Sequence, residues 1–133
     1  MSKRALDIHP WKIIEVGFDP TDDRAVMASE SLFSLGNGSF GGRANFEEHY
    51  SGVSLPGSYI GGVYYPDKTR VGWWKIGYPE YFAKVLNSAF WIGVEVNVNG
   101  KTLDLASADI VLEDFHRELD MREGVLRRSF TVE

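Results

Sequence analysis

Apolar and polar residues alternate along most of the chain, and a period of two is typical of strands that bury one face. The clearest example lies within residues 89–105. Its apolar face carries Phe90, Ile92, Val94, Val96 and Val98. Asn99-Gly100 follows, the dipeptide that best adopts the positive φ angles of a type I′ turn. This segment therefore predicts a β-hairpin that turns at Asn99-Gly100.

The same period predicts further strands. A second hairpin is expected over residues 110–132, with its turn at residues 120–124. Upstream, strands are predicted over residues 11–16, 31–35, 40–46 and 59–65. One segment, residues 80–86, instead predicts a helix, since its apolar residues recur at helical spacing after Pro79.

Many short strands with 14 glycines predict an all-β fold, an antiparallel β-sandwich with little helix. We assign residues 1–10 to an N-terminal tail and residues 11–133 to one domain. Alternation still runs at Val132-Glu133, so we expect this domain to be truncated at its C-terminal end. An interrupted sheet leaves an unpaired edge, which predicts self-association or a homodimer.

The composition excludes several classes of function. With 14 basic against 19 acidic residues the net charge is −5, and no basic run is present to bind nucleic acid. The chain has no cysteine, which excludes a thiolate nucleophile and cysteine-based metal sites. No run approaches the roughly 20 apolar residues that span a bilayer, so no membrane partner is expected. No signal peptide is visible, which favours a cytoplasmic location.

The glycine-rich segment at residues 36–41 formally matches the G-x-G-x-x-G fingerprint of dinucleotide sites. That fingerprint works by bringing a helix N-terminus to pyrophosphate, and no amphipathic helix follows here. We therefore interpret Asn37-Gly38 as a tight β-turn.

Glu47-Glu48 is an adjacent glutamate pair, and glycosidic chemistry uses two carboxylates. Neighbouring strand residues point to opposite faces, so this pair alone cannot serve as acid and base for one substrate. We expect one of the two to pair with Arg43. The three histidines, His9, His49 and His116, lack metal-binding spacing. No catalytic residue, metal site or cofactor is predicted in the chain.

Trp73-Trp74 lies in an aromatic-rich segment with weak periodicity. Sugars stack on such rings, so Trp73 and Trp74 are candidates for carbohydrate stacking, although aromatic residues in a small β domain are more often core or interface. A free-standing carbohydrate-binding module that uses this patch is one functional hypothesis. An oligomerisation domain without a ligand is another.

Several motifs occur in an order that resembles glycoside hydrolase family 65, which includes maltose, trehalose and kojibiose phosphorylases. The motifs are residues 11–15 (WKIIE), 30–38 (ESLFSLGNG), 41–43 (GGR), 46–48 (FEE), 55–63 (LPGSYIGGV) and 119–128 (LDMREGVLRR). The chain departs from the family at residues 41–44, where Gly-Val-Arg-Gly is more usual, and at residues 88–91, where Pro-Asn-Trp is usual. These departures leave the substrate subtype open.

The resemblance implies the first half of a galactose mutarotase-like super-sandwich that packs against a C-terminal (α/α)6 barrel. The barrel would carry a glutamate general acid, and inorganic phosphate or water would attack an α-linked glucose disaccharide with inversion. Phosphorylase and hydrolase both remain open. Within this chain, Asn37, Gly38, Arg43, Glu47 and Glu48 match the family's most recognisable block. They are expected to shape a loop that faces the barrel or a dimer interface, or a structural corner.

Overall fold

The computed structural model describes residues 5–68 and 79–133. Within these two ranges the chain forms ten strands and one helix. In chain order they are β1 (Ala5–Ile8), β2 (Lys12–Val16), α1 (Asp23–Leu32), β3 (Leu35–Gly36), β4 (Phe40–Gly42), β5 (Ser58–Lys68), β6 (Tyr81–Asn87), β7 (Asn97–Val98), β8 (Lys101–Thr102), β9 (Leu112–Asp120) and β10 (Val125–Val132).

The strands form two four-stranded sheets and one small hairpin, and every pairing is antiparallel. The first sheet has the order β1-β2-β9-β10 and the second β3-β4-β5-β6, while β7 pairs with β8. The predicted all-β antiparallel class is confirmed. Strand β1 lies within the range that the sequence assigned to a tail, and it pairs with β2.

Strand β9 shows how the alternating pattern builds the core. Phe115, Arg117 and Leu119 are buried on one face, while His116 and Glu118 lie on the other and are only partly buried. Two apolar clusters form against the buried face. One contains Val26, Phe46, Leu105 and Phe115, and the other contains Phe33, Ala44 and Leu119.

Helix α1 corrects the strand that was predicted over residues 31–35. Asp22 caps the helix, because its Oδ1 accepts a hydrogen bond from the backbone N–H of Ala25 at 2.9 Å. Ser31 and Leu32 are the last helical residues, and only Leu35 joins a strand. The helix has ten residues and is only weakly amphipathic. Its apolar pattern in the sequence therefore does not differ clearly from the alternating pattern of a strand. Neither it nor any other helix in the described ranges is long and apolar enough to cross a membrane.

The helix predicted over residues 80–86 is wrong, since β6 occupies these positions. Tyr81 lies opposite Lys68 and Val85 opposite Tyr64 in the ladder with β5. Tyrosine, phenylalanine and valine favour strands, and pairing with a distant strand satisfies the backbone better than the local helical spacing suggested.

The hairpin at Asn99-Gly100 is confirmed, with φ of 51° and 80° at these two residues. Its strands are much shorter than predicted, because residues 93–96 find no neighbouring strand among the described residues. Their backbone instead bonds irregularly, as when Val94 N–H donates to the Glu47 carbonyl at 2.6 Å.

The hairpin predicted over residues 110–132 is confirmed as β9 and β10. The strand predicted over residues 40–46 ends at Gly42, because Arg43 and Ala44 donate their N–H groups to Gly57 and Glu30 instead of to a strand partner.

Candidate functional site

Asn37 and Gly38 form the tip of the hairpin between β3 and β4. The Asn37 side-chain oxygen accepts hydrogen bonds from the N–H groups of Ser39 and Phe40, both at 3.0 Å. Gly38 has a φ of 85°, a left-handed conformation that a β-carbon disfavours. The glycine-rich segment is therefore a tight turn that the Asn37 side chain closes, as the sequence predicted. No helix begins after this turn.

A groove of about 400 Å³ lies beside this hairpin. Asn37, Arg43 and Glu47 line it, together with the half-exposed rings of Phe40 and Trp91. These two rings meet edge to face, with their centroids 5.9 Å apart. The structure thus brings three of the five predicted loop residues to one surface, while Gly38 and Glu48 do not line the groove.

Arg43 holds one end of a buried polar clamp. Its Nη2 donates to the Met27 carbonyl at 3.0 Å and lies 3.4 Å from Oε2 of Glu30. Glu30 is only 1% exposed. It also accepts hydrogen bonds from the Leu55 N–H at 3.0 Å and from the Ser54 hydroxyl. The clamp therefore ties residues 54–55 to helix α1.

Asn45 fastens the same loop from the other side. Its amide nitrogen donates to the Ser54 hydroxyl at 3.1 Å and to the Leu55 carbonyl at 3.2 Å, and its oxygen accepts from the Gly57 N–H at 3.1 Å. Sequence reasoning missed both Asn45 and Glu30. The sequence marks these two residues only by their position, since each lies in or beside the motifs that surround Arg43.

Glu47 and Glu48 do not pair with Arg43, contrary to the sequence expectation. Both bind Nη2 of Arg128, Glu47 at a distance of 2.5 Å. The side chain of Glu48 is 6% exposed, whereas that of Glu47 is 43% exposed. Residues 43–50 leave the sheet, so the alternation of a strand does not separate these two carboxylates. Arg128 lies eighty residues away, beyond the reach of any local pattern.

Two arginines contact the ring of Phe46. The guanidinium carbons of Arg117 and Arg128 lie 5.0 Å and 4.9 Å from the ring centroid, in cation–π contact. The two arginines are cross-strand neighbours in the ladder of β9 and β10. Two like charges at this position repel each other, so they require nearby carboxylates and the electron-rich ring.

Arg117 is almost fully buried, and burial is the main cause that lowers its pKa to about 10. The charge of Glu15 opposes this shift, while that of Arg128 adds to it. Nη1 of Arg117 also donates to the Ser29 hydroxyl at 3.0 Å, which in turn donates to Glu15 at 2.5 Å. Ser29 thus links the buried carboxylate of Glu15 to the buried guanidinium of Arg117.

These contacts describe a structural charge network. Glu47 and Glu48 both bind one guanidinium within the chain, which ties residues 47–48 to β10. No group of three or more histidine, aspartate or glutamate residues in the described ranges could hold a metal ion. His9 and His49 lie 3.1 Å and 3.8 Å from Asp7 and Asp104 respectively. Trp73 and Trp74 fall outside the described residues.

Comparisons with known proteins agree with one another. The chain is 50% identical to "Maltose phosphorylase" of Bacillus subtilis (strain 168) over 99% of its length. It is 36% identical to "Alpha,alpha-trehalose phosphorylase" of Thermoanaerobacter brockii over 96% of its length. The solved structure titled "Putative kojibiose phosphorylase from human microbiome" matches 99% of the chain with a TM-score of 0.78 at 36% identity.

In each of these comparisons the chain spans 17% of the other protein's length. Residues 13–133 match the family model described as "Glycosyl hydrolase family 65, N-terminal domain". The motifs that carried the resemblance all lie within or beside this match, as do the clamp and the two arginines that contact Phe46. The chain therefore belongs to glycosyl hydrolase family 65, and it corresponds to the N-terminal domain of that family.

Proposed function

We propose that the chain is the non-catalytic N-terminal domain of a family 65 phosphorylase that acts on an α-linked glucose disaccharide. The chemistry takes place on a separate (α/α)6 barrel of the same polypeptide, where inorganic phosphate is the co-substrate. The observation that carries this proposal is the 50% identity to a protein named maltose phosphorylase across 99% of the chain.

The charge network supports a structural role for this domain. Glu47 and Glu48 are the adjacent glutamates that the sequence analysis weighed for glycosidic chemistry, and both are held by Arg128. Arg128 thereby ties β10 to residues 47–48, which is a structural role.

Within this proposal the five predicted loop residues divide into two groups. Arg43 and Glu48 are a structural corner, since their side chains are largely buried and bonded within the chain. Asn37, Gly38 and Glu47 lie at or beside the groove that Phe40 and Trp91 line, and this surface faces the barrel. Half-exposed rings in a groove of this kind are typical of a surface that another part of a protein covers.

The activity is tested on the complete protein encoded by the reading frame that contains this chain, with the chain alone as the comparison. Each is incubated with maltose, trehalose or kojibiose, with and without inorganic phosphate, and free glucose and glucose phosphate are measured. We expect phosphate-dependent release by the complete protein and none by the chain alone. Glucose release without phosphate would indicate a hydrolase, and turnover by the chain alone would refute the non-catalytic role.

The division of loop residues is tested with Arg43→Ala and Trp91→Ala, each made in the complete protein and in the chain alone. Arg43→Ala should lower the melting temperature in both contexts and leave disaccharide phosphorolysis by the complete protein unchanged. Trp91→Ala should destabilise the complete protein more than the chain alone, because the barrel covers the Trp91 ring only in the complete protein. An equal effect of Trp91→Ala in both contexts would contradict a barrel-facing groove.

A further inference from the structure

The dipeptide Asn-Gly occurs twice in the chain, as Asn37-Gly38 and as Asn99-Gly100, and each pair lies at the tip of a hairpin. Glycine has no side chain to hinder its own nitrogen, so that nitrogen can approach the side chain of a preceding asparagine. Gly38 and Gly100 are alike in this respect. Each has a positive φ, and no atom lies within 4 Å of the position that a β-carbon would take. A difference in reactivity between the two pairs must therefore come from the asparagines.

The side chain of Asn37 is held by its own turn. Its Oδ1 accepts hydrogen bonds from the N–H groups of Ser39 and Phe40, both at 3.0 Å. The Asn37 N–H also donates to the Phe40 carbonyl at 3.0 Å, which closes the turn through the main chain. Moving the carboxamide carbon of Asn37 onto the Gly38 nitrogen displaces Oδ1, so both side-chain hydrogen bonds must break before the two atoms can meet.

The side chain of Asn99 has no such tether. Asn99 is exposed, and its carboxamide makes no hydrogen bond to any residue that the structure describes. The side-chain hydrogen bonds of this hairpin belong to Asn97, which donates to Glu95 at 3.3 Å and accepts from Thr102 at 3.0 Å. Strands β7 and β8 have two residues each, so the hairpin that holds Asn99 at a φ of 51° opens at little cost.

We propose that Asn99 is a site of spontaneous deamidation and that its turn protects Asn37 from the same reaction. The Gly100 nitrogen attacks the carboxamide carbon of Asn99, a new C–N bond forms, and the bond from that carbon to Nδ2 breaks. Nδ2 leaves as ammonia with the proton that the Gly100 nitrogen gives up. One solvent water then opens the resulting succinimide at either of its two carbonyl carbons. The product is aspartate or isoaspartate in place of Asn99, and no group is oxidised or reduced.

The modification acts on a weakly held part of the fold. Isoaspartate routes the main chain through its β-carbon, which lengthens a two-residue turn, and either product adds a negative charge to a chain of net charge −5. Strands β7 and β8 pair only at Asn97–Thr102 and Val98–Lys101, so a longer turn disturbs the whole register. Leu103, which follows β8 directly, packs against the core. Deamidation therefore loosens the chain at the edge of its core, and this inference is independent of the proposed phosphorylase activity.

Peptide mapping of the folded chain during incubation at mildly alkaline pH tests the proposal. Deamidation raises the mass of a peptide by about 1 Da, and fragmentation assigns the gain to one asparagine. We expect Asn99 to react about thirtyfold faster than Asn37, because two hydrogen bonds at about 1 kcal/mol each must break at Asn37 and ~1.4 kcal/mol corresponds to tenfold. Equal rates at the two sites, a faster reaction at Asn37, or no mass gain at Asn99 would overturn the proposal.

Two controls separate the fold from the sequence. The same chain unfolded in urea should lose the difference, since glycine follows both asparagines and neither turn then exists. A thirtyfold difference that persists in urea would show that the turns do not decide the rates. Asn99→Gln should abolish the mass gain at this position and leave that of Asn37 unchanged, because its longer side chain cannot form the five-membered ring. Asn97 lies in the same tryptic peptide and precedes the β-branched Val98, so an equally fast gain at Asn97 would refute a role for the Asn-Gly turn.

Discussion

Removal of Arg128 should cost the domain a large part of its stability. The Arg128 guanidinium is the counter-ion of Glu48, whose side chain is 6% exposed, and of the more exposed Glu47. It also lies 4.9 Å from the ring of Phe46 and 5.3 Å from that of Phe130. Arg128→Met keeps most of the packing of the aliphatic stem and removes the charge, so the variant isolates the electrostatic contribution.

The magnitude follows from the burial of each partner. A carboxylate as buried as Glu48 that loses its counter-ion costs about 3–5 kcal/mol. The half-exposed Glu47 adds less than about 1 kcal/mol. We therefore expect Arg128→Met to lower the free energy of unfolding by about 3–5 kcal/mol, a large part of the ~5–15 kcal/mol of a typical domain.

Urea unfolding followed by far-UV circular dichroism measures this loss. Arg127→Met is the matched control, because Arg127 is the exposed neighbour on the opposite face of β10, and it should cost less than about 1 kcal/mol. Adding Glu48→Gln to Arg128→Met should restore part of the stability, since the buried carboxylate that lost its counter-ion is then removed. A loss in Arg128→Met no larger than in Arg127→Met, or no recovery in the double variant, would refute the reasoning.

Three further outcomes are expected. Gly38→Ala should cost about 1 kcal/mol by urea unfolding because φ is 85°, whereas Gly36→Ala, with no atom nearer than 3.6 Å to the new β-carbon, should be close to neutral. The hydrogen bond from the Glu123 N–H is the main cause that lowers the pKa of Asp120. The stabilisation that the Asp120 carboxylate gives to the fold is therefore present above pH 3.8, and it is lost as the pH falls through the lower folded-state pKa. Asp120→Asn should therefore flatten the acid side of the pH–stability profile, and an unchanged slope would contradict this. Burial raises the pKa of Tyr50 to about 12, and its hydroxyl has no hydrogen-bond partner in the described part of the chain. Tyr50→Phe should then be neutral or stabilising below pH 10 and remove a loss of stability between pH 10 and 12, while a cost above about 1 kcal/mol would indicate a hidden partner.

Local chemistry made the turns predictable. Asn99-Gly100 adopts its positive φ angles because these two residues tolerate them, whatever surrounds the hairpin. The turn after β9 is equally local, since Asp120 accepts hydrogen bonds from the N–H groups of Arg122 and Glu123 within the same few residues. Both turns could therefore be identified from the sequence.

The sequence pattern could not predict which distant segments pair with each other. Residues 81–86 carry an apolar spacing that fits a helix, and only the ladder with β5 decides for a strand. Glu47 and Glu48 had a plausible partner in Arg43, four or five residues away, yet the fold delivers Arg128 from the far end of the chain. In each case the deciding partner was remote, so local spacing gave the wrong answer.

The order β1-β2-β9-β10 also determines when this domain can fold during synthesis. Strand β2 pairs with β9, and the contact between Lys12 and Glu118 joins residues 106 positions apart. At a synthesis rate of about 5–20 residues per second, the first two strands wait roughly 5–20 seconds after emerging before β9 has been made. During that interval their apolar residues have no sheet to join, so the nascent N-terminal hairpin is the segment that a chaperone would hold.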